Sequence, residues 1–122
     1  MMPIKLVIAL SCTALLATGM VAADKEMSKD AKIKLGEAVY KDISRGNCLA
    51  CHTLTGSGIE QEGNMGPNLA NFVGLPDEYF FNKIWDPNVD TPNSTMPPLG
   101  RNLRVTKDEI DAVIAYIRYT VK

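Results

Sequence analysis

Cys48-Leu49-Ala50-Cys51-His52 decides how this chain is read, because it holds two of the three cysteines and the one histidine in 122 residues. The pattern is C-x-x-C-H, the attachment sequence of a c-type haem. Two thiols about one helical turn apart can each form a thioether with a haem vinyl group, and the adjacent imidazole then reaches the iron as its proximal ligand. Other chemistries for a cysteine pair fit less well. A thioredoxin-like redox pair belongs with a βαβ pattern that the sequence does not show. A structural zinc takes four protein ligands, and beyond these cysteines and this histidine only carboxylates are on offer. A disulfide would leave His52 without a role.

Upstream of the motif, residues 24–43 are predicted to be helical. Met27, Ala31, Leu35, Ala38 and Val39 recur at three- and four-residue steps. Gly36 lies inside this helix, where glycine costs about 1 kcal/mol relative to alanine. Close packing against another helix and simple tolerance both explain it. Ser44 to Asn47 breaks the helix before the motif. Downstream, residues 53–74 are rich in Gly, Ser, Thr and Asn and read as loop. A short helix follows from Pro76-Asp77, with Asp77 as its expected cap and Tyr79, Phe80, Ile84 and Trp85 on its apolar side. Asp86-Pro87 ends it, because a residue before proline avoids the helical region. Residues 88–102 are a second long loop with prolines at 92, 97 and 98. Thr106 and Glu109 then form a capping box, and Ile110, Val113, Ile114, Ile117 and Val121 make an apolar stripe beside Tyr116. The fold class is all-α, with three to four helices and loops too long for so small a domain unless a further group completes the core. A haem does so.

A low-spin electron carrier needs a second axial ligand, and with a single histidine that ligand is a methionine. Met96 in Thr95-Met96-Pro97-Pro98 is the choice. Two prolines stiffen its backbone, and 44 positions separate it from His52, enough to reach the opposite haem face. Met65, 13 positions beyond His52, is the rival, and Met27 falls on the first helical stripe. Gly66-Pro67-Asn68-Leu69 is placed on the proximal side. There the Pro67 carbonyl can accept the second ring N–H of His52, fixing its tautomer; an ordinary turn explains the same residues.

The N-terminus is of a different kind. One charge, Lys5, precedes an apolar run from Leu6 to Leu16, and Val21-Ala22-Ala23 ends just before Asp24-Lys25-Glu26. That is the layout of a secretory signal peptide, residues 1–23, with Cys12 discarded. The apolar run is shorter than the about 20 residues a membrane span needs. One domain remains, residues 24–122, with 12 basic and 14 acidic side chains once Lys5 is removed, hence a net charge of -2. Scattered bases and near-balance give no electrostatic case for nucleic acid or an anionic membrane.

The chain resembles class I cytochromes c, and more closely the SoxX family, monohaem subunits of the SoxAX complexes of sulfur-oxidising bacteria. Residues 45–52, Gly63 to Leu69, Ile84-Trp85-Asp86-Pro87, Met96 to Gly100 and Glu109 to Ile117 carry the resemblance. It implies a cytochrome c fold whose first and last helices cross near a glycine and an aromatic, here Gly36 and Tyr116. It implies one covalently bound haem c, with His52 and Met96 on the iron and Cys48, Cys51, Pro67, Leu69 and Trp85 as further cofactor contacts. It also implies a periplasmic location and a SoxA-like dihaem or monohaem partner. The pair would act as an L-cysteine S-thiosulfotransferase, oxidising thiosulfate and joining it to a cysteine of a SoxYZ carrier. The catalytic haem and cysteine would belong to the partner, and a soluble cytochrome c would take the electrons. No catalytic residue is expected in this chain. A free-standing carrier in a respiratory chain is the alternative.

Overall fold

A computed structural model describes residues 26–122. The expected signal peptide, residues 1–23 with Cys12, lies outside the described residues. Three α-helices, α1 (Lys29–Lys41), α2 (Asp77–Trp85) and α3 (Lys107–Thr120), are joined by long loops that hold two short 3-10 turns, Cys48–Ala50 and Leu69–Phe72. No strand occurs among the described residues, and no helix there is long and apolar enough to cross a membrane.

α1 starts later than the sequence suggests. Ser28 is its N-cap, with the side-chain oxygen accepting the Ala31 N–H at 3.3 Å. Its buried face is also rotated from the expected one. Ile33, Gly36, Val39 and Tyr40 are buried, whereas Met27, Ala31 and Ala38 are exposed and Leu35 is half-buried. Gly36 is the reason. A Cβ at this position would fall inside the Ala112 carbonyl of α3 and only 2.9 Å from the Tyr116 Cβ. The helices therefore meet backbone to backbone at the one place on α1 with no side chain, and the stripe is centred there. Close packing, not tolerance, accounts for Gly36. One turn on, Tyr40 and Tyr116 pack with ring centroids 5.3 Å apart and planes tilted by 59°. Tyr40 is fully buried, and that burial pushes its phenol pKa up.

α3 matches its sequence. Thr106 accepts the Glu109 N–H at 3.2 Å, and Glu109 returns the bond to the Thr106 N–H at 2.8 Å. Ile110, Val113, Ile114 and Ile117 are almost wholly buried, each contributing about 1.5–3 kcal/mol by burial. The second oxygen of Glu109 takes Arg45 at 2.8 Å, and Arg45 also holds Asp42 at 2.7 Å. This bridge ties the end of α1 to the start of α3 just ahead of the cysteine motif.

Asp77 is not the cap of α2. Pro76 holds that position, in an extended conformation, and Asp77 is the first helical residue. An acid in the first turn still meets the positive end of the helix dipole, and here its carboxylate binds Arg118 of α3. Arg118 also donates to the carbonyls of Val73 and Leu75, at 2.6 Å each. One guanidinium therefore fastens the start of α2 onto α3. Asp86 and Pro87 end α2 as the sequence indicates.

Two outcomes follow from these contacts. Gly36→Ala should cost about 3 kcal/mol or more, measured by denaturant unfolding, since the clash is with backbone that cannot turn aside. Glu109 has its pKa held below the usual 4.5, chiefly by the Thr106 N–H, with Arg45 adding to it. A depressed folded-state pKa gives stability that is present above 4.5 and is lost as pH falls through the folded value. Glu109→Gln should therefore narrow the difference in melting temperature between about pH 6 and about pH 3.

Candidate functional site

The turn after α1 aims the motif. Gly46 lies so near α1 that a Cβ would come 2.5 Å from the Val39 carbonyl oxygen and 3.3 Å from the Cys48 sulfur. Asn47 is left-handed, φ 47°, a conformation asparagine tolerates better than most residues. Cys51 and His52 both donate their N–H groups to the Cys48 carbonyl, at 3.2 and 2.9 Å. This single turn sets the two sulfurs one turn apart and places His52 directly after them.

The imidazole is then gripped by the next loop. Gly63 N–H donates to Leu49 and Gly66 N–H to Cys51, each at 2.7 Å. The Gly66 backbone lies flat against the ring: a Cβ there would be 2.6 Å from Nδ1 and 2.9 Å from Nε2. His52 Nδ1 stands 2.8 Å from the Pro67 carbonyl oxygen. A carbonyl only accepts, so Nδ1 carries the proton and Nε2 presents its lone pair. Asn68 secures the loop, donating to the Thr55 hydroxyl at 2.7 Å and accepting the Ala70 N–H at 3.0 Å. The Pro67 carbonyl thus lies where it can accept the second ring N–H of His52.

Above the motif is a cavity of about 550 Å³, within the range of cofactor sites. Cys48, Cys51, His52 and Met96 line it, with Pro67 and Leu69. Phe72, Phe80, Leu99, Val113 and Ile117 supply an apolar wall from the loop and from α2 and α3. Both cysteines are unpaired. Burial pushes the Cys48 thiol up to about 12, the opposite of the low pKa a redox-exchange thiol needs. No three His, Cys, Asp or Glu side chains come together among the described residues as a metal site would require. A deep apolar cavity with two free thiols at its wall and an imidazole offering Nε2 suits a thioether-linked haem.

Comparison with known proteins agrees. Residues 31–117 match the family described as cytochrome c oxidase, cbb3-type, subunit III. The chain belongs to this family. It is similar to the c-type cytochrome SorU from Sinorhizobium meliloti, with TM-score 0.57 and 26% identity over 75% of this chain and 93% of that one. It also resembles an uncharacterized lipoprotein of Aquifex aeolicus (strain VF5), 33% identical over 75 residues. That alignment covers 60% of this chain, which spans about a third (36%) of the relative's length. The all-α cytochrome c fold is thus established. As a c-type cytochrome of this family the chain carries covalently bound haem, and Cys48, Cys51 and His52 fit its attachment motif. When bound, the haem supplies an iron that takes up and releases single electrons.

Trp85, expected as a cofactor contact, is packed within the protein. It is outside the cavity wall, stacked on Phe81 with centroids 6.0 Å apart. Gly100 presses against its ring, where a Cβ would come 2.7 Å from Cδ2. The Arg101 N–H donates to the Trp85 carbonyl at 3.0 Å. Trp85 therefore backs the loop that carries Met96. Both rival methionines reach the wall, Met65 at 76% exposure and Met96 half-buried. The Met96 N–H is fixed by the Ser94 hydroxyl at 3.2 Å.

Several wall residues escaped the sequence reading. Val113 and Ile117 were visible as an apolar stripe but not as facing a cofactor. Phe72 and Leu99 sit in loops where periodicity is silent, and Arg45, Lys83 and Arg104 have no diagnostic spacing.

Gly66→Ala should drive a methyl into the imidazole and reduce haem retention at least tenfold, read as the ratio of haem absorbance to protein after co-expression with haem-attachment machinery.

Proposed function

We propose that the chain is a periplasmic carrier of a single haem, ligated by His52 and Met96, and that it works as the electron-transfer subunit of a SoxAX-type complex. The observation that carries the electron-transfer reading is the gripped imidazole. His52 is held by Gly66 and Pro67 with Nε2 free, while Met96 lines the same cavity on a proline-stiffened loop. Thioether coordination favours the reduced iron and raises the potential. The preference for Met96 over Met65 rests on burial: a ligand shielded from water is exchanged less readily than one exposed on a rim.

The SoxAX assignment rests on the strings around the motif, Gly63 to Leu69 and Met96 to Gly100. The chemistry left to this chain supports it. Residues 24–122 hold two cysteines, both used by thioether bonds, and one histidine, used by the iron. No thiol or imidazole remains for sulfur transfer or general base work. Thiosulfate oxidation and its transfer to a SoxYZ cysteine then fall to a SoxA-like partner, and this subunit passes electrons to a soluble cytochrome c. The family's description as an oxidase subunit favours the second reading, a free-standing carrier in a respiratory chain. A location outside the cytoplasm is common to both, in line with the signal-like N-terminus and the similarity to a lipoprotein.

Intact-mass and haem assays should return one haem per chain. Met96→Ala should convert the iron from low to high spin, whereas Met65→Ala should leave it low spin; the reverse pattern would exchange the two roles. Purification from the native host with a second, larger c-type cytochrome bound would support the subunit reading, and a clean monomer the free carrier.

A further inference from the structure

Asp86 is the one charged side chain buried among the described residues, and it is not part of the cavity wall. Burying a carboxylate is costly unless its oxygens are bonded, so its bonds show its use. Oδ2 accepts from Arg101 Nη1 at 2.8 Å. Oδ1 accepts from the Asn88 N–H at 3.1 Å and from Asn88 Nδ2 at 3.3 Å. Asn88 Oδ1 in turn accepts the Ser94 N–H at 3.1 Å, and the Ser94 hydroxyl accepts the Met96 N–H at 3.2 Å. An unbroken line of hydrogen bonds thus runs from a buried charge to the methionine.

The loop that holds this line is closed at its ends. The Gly100 N–H donates to the Ile84 carbonyl at 3.3 Å and the Arg101 N–H to the Trp85 carbonyl at 3.0 Å, so both ends of residues 86–101 meet on α2. Asn88 bonds Ser94 across six positions, farther than a single tight turn reaches. Its amide is used on both sides, nitrogen toward Asp86 and oxygen toward Ser94, and only one orientation of the group serves both. Beyond Met96, Pro97 and Pro98 carry no N–H. The Met96 N–H is therefore the last donor by which this stretch can be held before Leu99. Ser94 and Met96 belong to the cavity wall, whereas Asp86 and Asn88 do not, so the line reaches the wall only at its far end.

We propose that Asn88 and Ser94, anchored on Asp86, are positioning residues for the sixth iron ligand: they hold Met96 on the iron against exchange with small ligands from solvent. The proposal rests on the His52 and Met96 reading above and deepens it by naming what keeps the methionine bound. A ligand whose backbone is already fixed gives up little freedom on binding, so loosening the brace shifts the balance toward a competitor.

The test titrates the ferric, haem-loaded chain with imidazole, which displaces a methionine sulfur, and follows loss of the sulfur-to-iron charge-transfer band in the far red. Ser94→Ala and Asn88→Ala should each bind imidazole about fivefold more tightly, the equivalent of one lost hydrogen bond. Their haem content per chain should stay at the wild-type level, because the thioethers are untouched. Ser94→Thr keeps the hydroxyl and should match wild type in imidazole affinity. Ser28→Ala removes the cap of α1, lowers stability away from this loop, and should match wild type as well. Wild-type affinity in both Ser94→Ala and Asn88→Ala would overturn the proposal while leaving Met96 as the ligand. Equal tightening in Ser28→Ala would also overturn it, tracing the effect to a general loosening of the fold. A wild-type chain without the band, or a Met96→Ala chain that keeps it, would sink the Met96 reading and the proposal together.

Discussion

The distance between α1 and α3 is set by a side chain that is not there. At Gly36 the helices touch through backbone, against Ala112 and the base of Tyr116. A Cβ there would meet the Ala112 carbonyl, which is backbone and cannot turn aside. The close crossing fixes where α1 ends. That end fixes the turn through Asp42, Arg45 and Asn47, and this turn delivers Cys48, Cys51 and His52 to the cavity. Arg45 reinforces the chain of consequence by joining Asp42 to Glu109. Glu109 is already committed to the cap of α3, so one carboxylate serves the helix start and the haem-bearing turn together.

A second constraint acts on the imidazole. Its ring is flanked by the Gly66 backbone and its Nδ1 is bound to the Pro67 carbonyl, so neither rotation nor tautomer is free. A ligand already oriented loses little entropy on binding iron, and the carbonyl increases the basicity of Nε2. The loop that does this contains no helix or strand. Its rigidity comes from local bonds: Gly63 and Gly66 to the motif's own carbonyls, Asn68 to Thr55, and Glu62 accepting from the Leu54 N–H at 3.1 Å and the Ser57 hydroxyl at 2.8 Å.

These two constraints explain which parts of the protein could be read in advance. The motif was legible because its chemistry needs fixed residue types at fixed spacing. α3 was legible because its cap is a reciprocal side-chain pattern and its stripe is strongly apolar. The buried face of α1 was not. Its anchor is a glycine, which periodicity counts as no anchor at all, and Tyr40, which reads as amphipathic. Asp77 looked like a cap, but Arg118, 41 residues away, claims it, and no local pattern contains that. Trp85 was expected at the cofactor, and a large aromatic near a site has two ways to be buried. Only the close approach of Gly100 shows that its ring is used to pack the Met96 loop.

The same economy limits what this chain does alone. α2, α3 and the long loops line a cavity of about 550 Å³ whose wall is largely apolar. The polar groups that remain nearby hold the loops: Asp86 accepts from the Asn88 N–H and from the Arg101 side chain, and Arg104 donates to the Ser44 carbonyl. A site that transforms a substrate needs a free acid, base or nucleophile facing an open volume. Here Cys48, Cys51 and His52 all belong to a sequence that fits the haem-attachment motif. What the fold supplies is a firmly held imidazole at an apolar cavity. Such rigidity suits the electron-transfer role of a c-type cytochrome.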